Sequence, residues 1–305
     1  MECSLWFAFE TIEALKTVRA SSLVDEVQSS PNKMAAVKDI VTLVLDKDHK
    51  TTVTVHLHGA TVLAWKAQGK EIIFLSEGAV YDNKKAIRGG IPLVFPSFGP
   101  WELGPQHGFA RISRWKLEKK PEKDDSGAMT AVFTLNDNKD TRKMWDHKFK
   151  LTYTLYLTEK TFKTTLKVDN TGKETFTFTT LLHTYFRTDD VTKATVSGLQ
   201  GLEYVDKVHG DGKFTEDREL VTVAGEVDRA YAGVTGGGKV LMEKANLPDT
   251  VVWNPWVDKA KAMGDFRDDE YPSMLCVEAG HVATPLSLGA GQSFTGSQTL
   301  TLMDE

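Results

Sequence analysis

Apolar and polar side chains alternate residue by residue along Thr52-Val53-Thr54-Val55-His56-Leu57-His58, and again along Lys150-Leu151-Thr152-Tyr153-Thr154-Leu155-Tyr156-Leu157. An extended chain sends successive side chains to opposite faces, so a period of two predicts strands with one face buried. Strand-like runs recur at 60–65, 71–75, 109–117, 130–135, 161–168, 174–183, 220–223, 239–242, 250–253, 273–278 and 293–302. Between them, Asp124-Asp125-Ser126-Gly127, Asp169-Asn170-Thr171-Gly172 and Gly236-Gly237-Gly238 supply residues that accept positive φ or hydrogen-bond their own turn. A helix is expected only near 258–263. So many strands without long intervening helices argue against a doubly wound parallel sheet and predict an all-β fold, a large antiparallel β-sandwich.

A sandwich of this kind can occupy residues 34–305 of a 305-residue chain as one domain, since neither a composition break nor a repeat divides it. Residues 1–33 read as an N-terminal extension, a short amphipathic stretch and a Ser/Pro/Asn linker expected to be poorly ordered, with Met34 a candidate start. Leu5-Trp6-Phe7-Ala8-Phe9 has no basic region before it and is followed by Glu10 and Glu13, which argues against a signal peptide; the acids of this stretch argue against a mitochondrial presequence. No apolar run reaches the length of a membrane span. With 37 basic against 42 acidic residues, a net charge of -5 argues against binding nucleic acid through overall basic charge. Cys3 and Cys276 are too few for a disulfide framework or a four-thiolate metal centre and suggest a reducing compartment. The expectation is a cytoplasmic monomer.

From Thr175 to Phe186 the residues sort by parity. Even positions carry Phe176, Phe178, Leu182 and Phe186, which suit the interior; odd positions carry Thr175, Thr177, Thr179, His183 and Tyr185, with Thr180, Leu181 and Thr184 as exceptions. His183 therefore points away from the core at the end of its strand, on a hydroxyl-bearing face able to line a groove. From this segment alone, the reading of a surface histidine ranks ahead. Glu278 follows the apolar Met274-Leu275-Cys276-Val277. Desolvation there would raise its proton affinity and suit a general base, with equal weight for a carboxylate that merely ends a strand before Gly280.

A third cluster is Arg88-Gly89-Gly90, with Lys84 and Lys85 upstream, followed by Gln106-His107-Gly108-Phe109-Ala110-Arg111. If 106–111 is extended, His107, Phe109 and Arg111 share one face, a set that suits a sugar bearing an anionic group. Two converging guanidinium groups bind phosphate oxygens well, against the alternative of ordinary surface ion pairs. His56 and His58 share a face, but no further ligands stand at a recognisable spacing; they read as structural and no metal is expected. Asp228 reads as a loop acid able to hold sugar hydroxyls, or as a turn residue. Gly236 to Gly238 lacks the continuation of a phosphate loop and reads as a hairpin.

His56-Leu57-His58-Gly59-Ala60 with Trp65-Lys66, Arg88-Gly89-Gly90-Ile91-Pro92, Gln106-His107-Gly108-Phe109-Ala110-Arg111, Leu182-His183-Thr184-Tyr185-Phe186 and Cys276-Val277-Glu278-Ala279-Gly280 stand in this order between residues 39 and 302. Together they resemble the glucose-6-phosphate 1-epimerase branch of the aldose 1-epimerase family. The resemblance implies a galactose-mutarotase-like β-supersandwich and a cofactor-free enzyme that interconverts the α and β anomers of a hexose 6-phosphate. It also implies His183 as general acid, Glu278 as general base, and Arg88, Gln106, His107, Arg111 and Asp228 as contacts to sugar or phosphate. Ring opening delivers a proton to the ring oxygen while another leaves the anomeric hydroxyl, an exchange expected from groups on different sides of the acetal carbon. His183 near its ordinary pKa of about 6.5 and a partly desolvated Glu278 would meet that need. The residues alone also admit a glycoside hydrolase or lyase, which normally needs a second carboxylate. A non-catalytic carbohydrate-binding sandwich with Trp101 or Trp253 as stacking platforms is the remaining class.

Overall fold

Phe149–Leu157 and Thr161–Asn170 bury every second side chain, as their alternation requires, and pair from Phe162 opposite Leu157 to Asn170 opposite Phe149. Such hairpins build the protein, whose computed structural model describes residues 3–8, 38–232 and 239–304. Among the described residues the strands form sheets of nine, eight and four strands, all paired antiparallel. The nine-stranded sheet runs Leu220–Thr222, Thr195–Ser197, Cys3–Ala8, Val240–Ala245, Ser293–Leu302, Thr161–Asn170, Phe149–Leu157, Met129–Asn136, Lys116–Lys123. The eight-stranded sheet runs Gly212–Thr215, Glu203–Asp206, Val227–Ala232, Asp249–Asn254, Met274–Leu288, Phe176–Leu182, Leu93–Val94, with Tyr185–Arg187 also on Met274–Leu288. Of the first 33 residues, Cys3–Ala8 pair with Thr195–Ser197 and Val240–Ala245; the others lie outside the described residues, as does Gly236 to Gly238.

The core lies between the two large sheets and includes Phe95, Phe133, Phe149, Phe162, Phe178 and Phe186, with Val53, Val55 and Trp65 from the four-stranded sheet. The even positions of 176–186 face it. Thr180 and Thr184 are tolerated there because Thr180 Oγ1 donates to the Val94 carbonyl and Thr184 is hydrogen-bonded to the buried Gln298 side chain. A second apolar cluster, including Phe74, Leu181, Tyr185, Val251, Trp253, Phe266 and Cys276, covers the opposite face of the eight-stranded sheet. Its central strands are thus buried on both faces, whereas an ordinary sandwich sheet wets one.

Three local expectations are corrected. The run 109–117 is not a strand: Ala110–Ile112 form a 3-10 turn and the strand starts at Lys116. In 71–75 only the beginning belongs to a strand, Lys70–Glu71, followed by single bridges at Ile73 and Leu75. Besides the anticipated helix, found at Trp256–Ala262, a second spans Lys139–Met144. Asn138 caps it, accepting from the Asp140 and Thr141 amides while Thr141 Oγ1 accepts from the Asn138 amide. No helix among the described residues is long and apolar enough to cross a membrane.

Candidate active site

In the eight-stranded sheet Leu182 pairs with Ala279, and Tyr185 with Cys276. The register is continuous between these pairs, so His183 stands directly opposite Glu278, and the Val277 amide donates to the Thr184 carbonyl at 3.1 Å. Glu278 pairs in turn with Val251, and Cys276 with Trp253, which faces Asp228 on the next strand. One strand further, the Lys207 amide donates to the Asp228 carbonyl. Period two then puts His183, Tyr185, Cys276, Glu278, Trp253, Asp228 and Lys207 on one face, opposite the core.

His183 Nδ1 lies 3.3 Å from Glu278 Oε1. The histidine is 8% exposed and the carboxylate 1%, so the surface reading of His183 is overturned. Nor does Glu278 end its strand, which continues to Leu288. The imidazole stacks on Tyr185 at 4.8 Å between centroids, and meets His107 and Trp253 edge-on. Among the described residues, His183 Nδ1 and Glu278 Oε2 have no hydrogen-bond partner. Burial pushes Glu278 well above the usual carboxylate range; the Asp228 charge adds to this, while Lys207 and Arg111 oppose it. Burial, with His107, Arg111 and Arg88 nearby, holds His183 well below its ordinary value. His183 is therefore not near 6.5 as expected. A carboxyl shifted up beside an imidazole shifted down favours the neutral form of each, and a proton held there belongs to the pair rather than to either residue. The two groups stand side by side on one face of the sheet. Because the ring oxygen and the anomeric hydroxyl are bonded to the same carbon, neighbouring groups can reach both.

Arg88, His107 and Arg111 come from loops threaded by glycine. At Gly90, φ is +73° and a Cβ would stand 2.1 Å from the Val62 carbonyl oxygen; this close passage carries Arg88. Arg88 donates to both carboxylate oxygens of Asp265 at 3.2 and 3.3 Å and to the Tyr185 hydroxyl at 3.3 Å. The run 106–111 is not extended: His107 has φ +66° and Gly108 φ +72°, and a Cβ on Gly108 would stand 2.2 Å from the Phe95 carbonyl oxygen. Phe109 consequently enters the core, and the 3-10 turn brings Arg111 back to donate to the Gln106 carbonyl at 2.9 Å. His107 and Arg111 still come together, by a turn rather than a shared strand face. The Gly99 amide donates to His107 Nδ1 at 3.1 Å, which leaves the proton of the neutral ring on Nε2. Burial, with Arg111, Lys207 and Arg88, pushes His107 down to about 3.

The two guanidinium groups are not equivalent. Arg88 is ion-paired with Asp265, whereas half-buried Arg111 has no carboxylate within ion-pair distance among the described residues. Burial lowers the Arg111 pKa to about 10, the Arg88 charge adding to the effect while Tyr185, Glu278 and Asp265 oppose it. Asp228 is a strand residue of Val227–Ala232, not a loop acid, and burial raises its pKa. Gln106, Lys84 and Lys85 are exposed. His56 and His58 are buried; the His58 amide donates to His56 Nδ1 and the His58 ring to the Lys85 carbonyl.

Sequence reasoning missed Asp265, Lys207, the contact of the Tyr185 hydroxyl with Arg88 and the closeness of Cys276. Lys207 Nζ sits 4.0 Å from the Phe98 ring centroid, and the ligand atoms of His183, Cys276 and Glu278 lie within 4.8 Å of one another. Cross-strand register would have signalled Cys276, whereas Asp265 and Lys207 arrive on turns that leave no such signal.

Residues 41–301 match the aldose 1-epimerase family. A protein of Cenchrus ciliaris named "Putative glucose-6-phosphate 1-epimerase" is 34% identical over 263 residues, covering 81% of this chain and 80% of its own length. One of Escherichia coli K12 with the same name is 31% identical over 290 residues, 91% of each chain. A crystal structure of a "putative mutarotase" from Salmonella typhimurium has a TM-score of 0.75 at 28% identity, over 84% of this chain and 88% of that one. An antiparallel sandwich with a buried imidazole and carboxylate paired across two strands, matched over most of its length, belongs to the aldose 1-epimerase family.

Proposed function

We propose that this chain interconverts the α and β anomers of a hexose 6-phosphate, glucose 6-phosphate first among them, with His183 and Glu278 passing the protons and Arg111 holding the phosphate. The observation that carries the reading is a half-buried guanidinium without a carboxylate partner among the described residues, in electrostatic reach of a buried imidazole–carboxyl pair. A neutral sugar gives no reason to keep that cation uncompensated; a phosphate dianion does. The relatives named for glucose 6-phosphate support the same substrate class.

In the opening half-reaction one member of the pair protonates the ring oxygen as the other takes the proton of the anomeric hydroxyl. The bond from C1 to the ring oxygen breaks and the aldehyde forms. The pair again holds one proton, now on the other member. After rotation about C1–C2, the ring hydroxyl attacks the opposite carbonyl face and the proton returns, so His183 is acid and Glu278 base in one direction, with roles exchanged in the other. Each positioned group contributes roughly 100-fold to 10,000-fold. His107 Nε2–H, Gln106, Arg88 and Asp228 are the contacts assigned to hydroxyls and phosphate. Because a phosphorylated sugar stays in the compartment where it is made, the reading goes with a cytoplasmic protein.

NMR exchange between the anomers of glucose 6-phosphate tests this. Protein should accelerate exchange, and His183→Ala should abolish the acceleration. No acceleration by the wild-type chain would leave a carbohydrate-binding sandwich, and release of reducing ends from an oligosaccharide would instead mark a hydrolase.

A further inference from the structure

Cys276 is fully buried two residues before Glu278, on the same face of the same strand, and proton exchange makes no use of it. Its sulfur, a nitrogen of His183 and an oxygen of Glu278 lie within 4.8 Å of one another. The 3.3 Å between His183 Nδ1 and Glu278 Oε1 matches the edge of a coordination tetrahedron; bonds of about 2.0–2.1 Å to nitrogen and oxygen give an N to O edge of about 3.3–3.4 Å. Two of the buried polar atoms, His183 Nδ1 and Glu278 Oε2, have no hydrogen-bond partner among the described residues. Such groups are rare in native interiors and are commonly answered by a ligand, ion or water.

We infer that His183, Cys276 and Glu278 form a three-ligand site for a zinc-type divalent cation, and that the bound ion excludes the sugar. A donor set of one imidazole, one thiolate and one carboxylate suits zinc or cadmium, whereas magnesium and calcium prefer oxygen. Binding forms metal–nitrogen, metal–sulfur and metal–oxygen bonds and releases the thiol and carboxyl protons to solvent. A double positive charge enters as two protons leave, so the net charge of the buried site is unchanged. Burial, which opposes a lone thiolate or carboxylate, therefore does not oppose the complex. Of the nearby cations, Arg88 pairs with Asp265 and acts on Cys276, Arg111 and Lys207 act on Glu278, and Lys207 also acts on Asp228. The fourth coordination position is left for water, and the ion occupies the acid and base that the sugar needs.

Binding is independent of the proposed activity; only the competition with sugar rests on it. Titrating the metal-free full chain with cadmium should give thiolate-to-metal charge-transfer absorption that saturates at one equivalent, is displaced by zinc and ignores magnesium. Cys276→Ser should remove the absorption and Cys3→Ser should keep it, and His183→Ala should weaken cadmium binding by about tenfold or more. Zinc should inhibit anomer exchange competitively with glucose 6-phosphate, and at least about tenfold less in Cys276→Ser, each variant being compared with its own uninhibited rate. Absorption that survives in Cys276→Ser, vanishes in Cys3→Ser or is unchanged in affinity in His183→Ala overturns the site. Cadmium binding without anomer exchange sinks the enzymatic reading and leaves the metal site standing; exchange without cadmium binding does the reverse.

Discussion

Arg111→Ala should erase the preference for a phosphorylated over a free sugar. The native guanidinium is half-buried, has no carboxylate in ion-pair distance among the described residues and is depressed to about 10 by burial and by Arg88, so an incoming dianion gains its full attraction. Hydrogen bonds to a charged group contribute about 1.5–3 kcal/mol, which corresponds to a factor of roughly 10–150. On glucose 6-phosphate kcat/KM should fall by that factor, and on free glucose it should change little, so the ratio collapses by nearly the same amount. Arg111 is also one of the cations that hold His183 down. Without it His183 accepts a proton more readily, the doubly protonated pair forms at higher pH, and the acid limb of the rate profile moves upward. NMR anomer exchange on both sugars across a pH series reads both effects. An unchanged ratio, or an acid limb moving to lower pH, would refute the reasoning.

Two further variants probe the pair and the loop beside it. Glu278→Gln should lose exchange and gain stability as pH rises: the unfolded carboxyl ionises near its ordinary value of about 4.3 while the folded one keeps its proton higher. Between those values the folded wild type binds more protons and loses up to about 1.4 kcal/mol per pH unit, a loss the glutamine escapes. Denaturant melts of both proteins at pH 4 and pH 8 measure the difference, and an advantage that does not grow with pH contradicts the assigned shift. Gly108→Ala puts a Cβ 2.2 Å from the Phe95 carbonyl oxygen at a positive φ, so it should cost about 1–3 kcal/mol or more and raise KM for glucose 6-phosphate through displaced His107 and Arg111. A thermal midpoint and KM equal to wild type would show that the loop does not depend on this glycine.

Local alternation was enough to read the strands Phe149–Leu157, Thr161–Asn170 and Ser293–Leu302, because each buries one face and its neighbours along the chain record that. Lys116–Lys123 escaped notice because it is mostly exposed, and a strand with little to bury leaves no alternation. The apolar run after Gly108 reads as extended because composition does not report φ. Parity also placed His183 on the face away from the core, but not the cover that buries it.

The amino-acid order by itself determined the strongly alternating strands, their inward faces and most of the residue types that carry the chemistry, since these depend on near neighbours and on side-chain identity. Tertiary structure alone decided that His183 stands opposite Glu278, that Asp265 pairs with Arg88 while Arg111 has no carboxylate partner among the described residues, and that Cys276 lies beside the pair. The physical reason is that proton affinity and ion pairing depend on burial and on charges a few ångströms away, and here those charges arrive from strands and loops remote in the chain.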